Sequence, residues 1–149
     1  MLNKTHIAIA LFFMLFFVSK FIHVWIYIFV FVIATLLPNL DRGLSFRRLN
    51  FTKNSKTGVS RKRSFLHSFT FCLIITALFA WFLPTMAFPF FLAYGTHLIV
   101  DSWTIEGIRP FWPLRYIAKG NVRTGGNIEH MIFYSFIFAD IILIWFLFF

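Results

Sequence analysis

The chain is poor in charge and almost without cysteine. Only 13% of its 149 residues are Asp, Glu, Lys or Arg, whereas 60% are hydrophobic, 22% are aromatic and 24 are Phe. A soluble domain of this size would expose more apolar surface than water tolerates, which excludes an ordinary soluble fold. Cys72 is the single cysteine and lies inside an apolar stretch. No intrachain disulfide is therefore available, and one thiol says little about the redox compartment. Acidic residues number five against fourteen basic ones, a formal net charge of +9.

What the chain does have is long apolar runs, the mark of helices that cross about 30 Å of hydrocarbon with roughly 20 residues each. They cover about 6–19, 21–38, 64–82, 86–102 and 128–149, separated by polar stretches 39–63 and 103–127. The first run has the length of a signal-peptide core. No small-residue cleavage site follows it and a second run begins at once, so the pair is expected to stay as a helical hairpin. Pro84 breaks the third run from the fourth. The expectation is one all-α integral membrane domain over 1–149, a bundle of about five hydrophobic helices.

Five crossings would put the N-terminus and both polar stretches on one side. Thirteen of the fourteen basic residues then share that face: Lys4, eight in 39–63, and Arg109, Arg115, Lys119 and Arg123 in 103–127. Only Lys20 lies opposite. By the positive-inside rule the rich face is cytoplasmic, in the inner membrane of a multi-pass protein. These loops serve as a topology signal on their own account; they would also attract anionic lipid headgroups or a phosphorylated substrate. Nucleic acid is disfavoured, because orientation already explains the charge. Trp103, Phe111, Trp112 and Tyr116 suit a segment lying at headgroup level.

On the same face the sequence gathers His6, Asp41, His67, His97, Asp101 and Glu129, each near the end of an apolar run. Ionisable groups near hydrocarbon are costly and tend to mark function. His97 and Asp101 are four residues apart, hence stacked on one helix face, and an imidazole with a carboxylate can hold a divalent ion. Each residue also has an ordinary explanation. A simple His–Asp hydrogen bond gives the His97–Asp101 spacing, Asp41 suits a turn after Pro38, and Glu129 suits a helix N-terminus. Their common depth is what points to a polar site, with a metal centre as its most specific form.

Thr5-His6, the run Leu36-Leu37-Pro38-Asn39-Leu40-Asp41, Arg63 through His67-Ser68, Gly95-Thr96-His97 through Asp101-Ser102 with Trp112-Pro113, and Thr124-Gly125-Gly126 with Glu129 follow one another in a characteristic order. In that order the chain resembles the YdjM-like family of membrane-bound, predicted metal-dependent hydrolases. The pieces look like its LPDxD, HRGxTHS, His-xxx-Asp and TGxxxE segments. Asn39 and Lys62 depart from the first acid and the leading His of that pattern. A more distant resemblance is to the zinc-dependent phospholipase C and P1 nuclease group. It implies that Asp41, His67, His97 and Asp101 build the principal site, with His6 and Glu129 contributing to a neighbouring one. In that group a His precedes the late Glu by four residues, where this chain has Gly125.

The resemblance implies metal-assisted hydrolysis of a phosphoester, lipid or lipid-linked, at the cytoplasmic headgroup level. Nitrogen-rich ligation favours zinc, and more carboxylate and water would favour manganese or magnesium. Asp41 or Asp101 would orient the water, and Arg63, with Arg61 and Lys62, would clamp the phosphate. The alternative is a non-catalytic membrane protein, a channel, accessory factor or metal sensor, whose cluster is structural. Asp140, deep in the last apolar run, has no obvious part in the cytoplasmic site; it would pair with Lys20 or His23, or face a partner subunit. Oligomeric state is not legible.

Overall fold

The structure, a computed structural model, describes residues 1–48, 67–114 and 116–148, with the side chains of all of these but 39–48 and 148. The described residues form five helices in chain order: α1 (Asn3–Val18), α2 (Val24–Arg48), α3 (Phe69–Phe82), α4 (Pro84–Ser102) and α5 (Asn127–Phe148). Among the described residues there are no strands, only two isolated bridges, Thr104 with Val122 and Ile108 with Ala118.

Local chemistry sets the boundaries. Ser68 caps α3, its hydroxyl accepting from the Phe71 amide at 3.2 Å; this satisfies one of the unpaired donors of the first turn and leaves His67 just outside the helix. Leu83 ends α3 in a non-helical conformation (φ −143°, ψ 70°) because Pro84 follows. Pro84 then opens α4 from its first turn, where a missing N–H costs nothing. α2 differs from the sequence expectation. It does not stop at 38 but carries Pro38 within it and runs on to Arg48. The proline forfeits one backbone bond, and good helix formers such as Leu and Arg after it sustain the helix.

α4 is the central element, packed against α1, α2 and α3, while α5 rests on α1 alone among the helices. The main core joins Tyr27, Phe31 and Ala34 of α2 to Cys72 of α3 and to Phe90, Tyr94 and Leu98 of α4. The Tyr27 hydroxyl donates to the carbonyls of Phe13 (3.3 Å) and Met14 (3.2 Å), tying α2 to α1. The 103–127 connection folds back across the end of the bundle. Ile108 and Ala118 exchange both backbone bonds (2.8 and 3.0 Å), and the Pro110 carbonyl accepts from Phe69 at the start of α3 (2.7 Å).

Only Asn127–Leu147, within α5, has both the length and the apolarity to cross a membrane among the described helices. Asn3–Val18, Val24–Pro38 and Phe69–Phe82 are apolar but shorter, about 21–24 Å each at roughly 1.5 Å per residue. The five full crossings expected from the sequence therefore reduce, on length and composition, to one helix.

Candidate metal centre

Four helix ends meet at one end of the bundle. His6 comes from the first turns of α1, His67 from the residue before the α3 cap, His97 and Asp101 from the last turns of α4, and Glu129 from the first turn of α5. All five side chains are buried. Burying three imidazoles and two carboxylates away from water is costly unless they serve one another or a ligand.

Asp101 is the hub. Its Oδ1 lies 3.0 Å from His6 Nε2 and 3.0 Å from the Met1 amino group. Its Oδ2 faces His97 Nε2 at 3.5 Å and His67 Nε2 at 3.8 Å. The His6 and His97 rings stack, with centroids 4.0 Å apart and planes 9° from parallel; His67 approaches His97 edge-on at 6.1 Å. One donor atom from each of His6, His97 and Asp101 can be chosen so that all lie within 4.8 Å of one another. Nδ1 of His97 and Nδ1 of His6 are buried with no hydrogen-bond partner among the described residues, and Nε2 of His97 has only its 3.5 Å contact with Asp101. Buried polar atoms are nearly always paired, so unpaired imidazole nitrogens around a carboxylate fit a cation. A tetrahedral ion with ligands at about 2.0–2.2 Å holds its donor atoms roughly 3.3 Å apart; His6 and His97 lie 3.0 and 3.5 Å from Asp101, on different oxygens of its carboxylate.

Glu129 has a different role in the geometry. Its Oε1 accepts from the Leu2 amide (2.5 Å) and the Thr5 hydroxyl (2.9 Å), and its Oε2 from the Gly125 amide (2.6 Å). These bonds pin the start of α1, one residue before His6, to the start of α5. Gly125 has a positive φ of 76°, which turns its amide back onto the carboxylate at little steric cost. Thr104 performs the matching task at the end of α4, its hydroxyl donating to the Asp101 carbonyl at 2.7 Å.

The structure thus brings His6, His67, His97 and Asp101 together and ties Glu129 into the wall beside them. Asp41 lies in the last part of α2, and its side chain falls outside the described set; Arg63, Arg61 and Lys62 lie outside the described residues altogether. Sequence reasoning did not single out Ser68, Thr104 or the Gly125 amide as positioning groups. A serine before an apolar helix and a double glycine ahead of Glu129 were the available signals. The Met1 amino group carried none.

The family model described as YdjM inner membrane protein matches residues 1–148. The chain belongs to that family. No curated protein matches it, and no solved structure does. The YdjM match covers every candidate ligand and carries an inner-membrane description. That setting accounts for the apolar residues exposed along α5, among them Met131, Tyr134, Phe138 and Trp145. Within this YdjM chain Asp140 is buried, and neither carboxyl oxygen has a hydrogen-bond partner among the described residues. Neither Lys20 nor His23 pairs with it.

Proposed function

We propose that this YdjM-family protein is a membrane-bound, metal-dependent hydrolase acting on a phosphoester of a lipid or lipid-linked phosphate at the cytoplasmic face. The observation that carries this reading is the buried His6–His97–Asp101 group, with unpartnered imidazole nitrogens around one carboxylate. His6, His97 and Asp101 would hold the ion, with His67 at its edge and Asp41 as a further ligand or water-orienting group. Two imidazoles and one carboxylate favour zinc over manganese or magnesium. A divalent ion held there would supply Lewis acidity and would lower the pKa of a bound water toward roughly 7.

The protein's own residues do the rest. Asp101 accepts from His6, which fixes that ring's orientation and leaves the opposite ring edge available. Glu129 holds the α1 start rigid, so His6 keeps its register on α4. Arg63, Arg61 and Lys62, in the basic stretch leading to His67, would neutralise and orient the substrate phosphate. A lipid phosphate also suits the site because it lies at the end of the bundle that carries Lys4 and the basic 103–127 connection. On this reading α1 to α4 pack as shorter membrane helices beside α5, with the bilayer thinning or the flanking residues snorkelling to match.

A non-catalytic reading draws on the same hub. His6 and the Met1 amino group at 3.0 Å already satisfy Asp101 Oδ1, as a structural polar cluster would require. Turnover separates the two. Purified protein supplied with zinc or manganese should hydrolyse phosphodiester or phosphomonoester substrates in mixed micelles. Activity should disappear with a chelator and in Asp101→Ala. Absence of hydrolysis across both substrate classes with metal bound would leave a sensor or accessory role.

A further inference from the structure

Ile108 and Ala118 pair through two mutual backbone bonds (2.8 and 3.0 Å) and close a hairpin within the 103–127 connection. Its root is firmly fixed. Ile108 is buried in the main core, with Ala118 packed against that core. Gly107, at a φ of 63°, lets the returning chain pass so close that a Cβ there would stand 2.5 Å from the Ala118 carbonyl oxygen. Just past the root, the Pro110 carbonyl accepts from the Phe69 amide at 2.7 Å. Beyond these ties the side chains are no longer covered. Phe111, Trp112, Leu114 and Tyr116 are all exposed, from 41% at Trp112 to 64% at Leu114. A braced tip that held four large apolar groups in water would carry a standing cost, because water disfavours such a patch.

We propose that this tip is an interfacial anchor: Phe111, Trp112, Leu114 and Tyr116 enter the headgroup layer of an anionic lipid surface, and the basic groups near the root meet its phosphates. Three observations select that occupant. The first is place. The connection runs straight into α5, the one described helix with the length and apolarity to cross a membrane, so it stands where that crossing begins. The second is side-chain type. Trp and Tyr join an apolar ring to one polar group and concentrate at the membrane–water boundary, while Phe and Leu supply apolar area that enters beneath it. The third is charge. Residues 103–127 include four basic residues, Arg109, Arg115, Lys119 and Arg123, against one acid, Glu106; Lys119 and Arg123 are exposed. An anionic leaflet attracts such a segment, whereas the same segment of a second copy repels it. The tip is indifferent to metal: it anchors the connection with or without an ion at the His6–His97–Asp101 group.

The test uses the full chain in phosphatidylcholine vesicles, with and without phosphatidylglycerol, carrying an environment-sensitive fluorophore on Leu114→Cys. Cys72 is fully buried and does not compete for the label. A second sample carries the fluorophore on Asn121→Cys, an exposed polar position of the same connection. Both substitutions fall at exposed sites, so neither threatens the fold. A lipid spin-labelled near its headgroup should quench the Leu114 label several-fold more than the Asn121 label, and aqueous acrylamide should show the reverse. Phosphatidylglycerol should widen that contrast, and Lys119→Gln combined with Arg123→Gln should remove the increment. Equal acrylamide access at both positions, no response to phosphatidylglycerol, or energy transfer between labelled copies that persists on lipid dilution would each overturn the proposal. Shielding seen in native membrane fragments but lost in the pure vesicles would overturn it too, by assigning the tip to a protein partner.

Discussion

Asp101 can serve four neighbours because its two oxygens diverge, one toward His6 and Met1 and the other toward His97 and His67. Glu129 is saturated instead by three donors of the protein itself. The two carboxylates looked alike in the sequence, both at helix ends on one face. Their difference comes from what surrounds them, and the Leu2 and Gly125 amides leave no trace in side-chain identity. A consequence follows at Glu129. Removing its carboxylate in Glu129→Ala strands the buried Thr5 hydroxyl, at about 1–3 kcal/mol for a buried group left unsatisfied, and leaves the part-buried Leu2 and Gly125 amides to water at smaller cost. The variant should unfold at lower temperature in detergent. An unchanged midpoint would mean these bonds contribute nothing to the joint between α1 and α5.

At the scale of elements, the apolar runs were legible because uninterrupted hydrophobic length is itself the signal, and Pro84 marked the α3–α4 break correctly. Pro38 did not end α2, since a helix can lose one hydrogen bond and continue through residues that favour it. The 103–127 connection was legible only as polar. Its fold depends on non-local bonds, such as Ile108 to Ala118 and Phe69 to Pro110, which no local pattern encodes. The contact of α5 with α1 carries a further expectation. Asp140 is buried there without a hydrogen-bond partner among the described residues, while α1 from Ala8 to Val18 offers no polar side chain. Asp140→Val, of similar volume, should remove a desolvation cost of about 1–3 kcal/mol. Thermal unfolding in detergent should shift upward; a downward shift would reveal a partner that the carboxyl serves.

For the whole molecule, the gathering of His6, His67, His97, Asp101 and Glu129 at one bundle end was foreseeable from alternation alone, since successive helices return the chain to the same side. Reporter fusions after residue 120 should read as cytoplasmic, and fusions at the C-terminus as periplasmic, if the chain crosses as the sequence leads one to expect, with thirteen of its fourteen basic residues on one face. Both reporters on one side would mean an even number of crossings separates the two fusion points. The centre itself is tested most directly by metal content. Elemental analysis of protein purified in detergent should give close to one zinc or manganese per chain, lost in both His97→Ala and Asp101→Ala while helicity is retained. A metal-free native protein that keeps its fold in metal-supplemented buffer would contradict the metal centre and leave the cluster a structural joint.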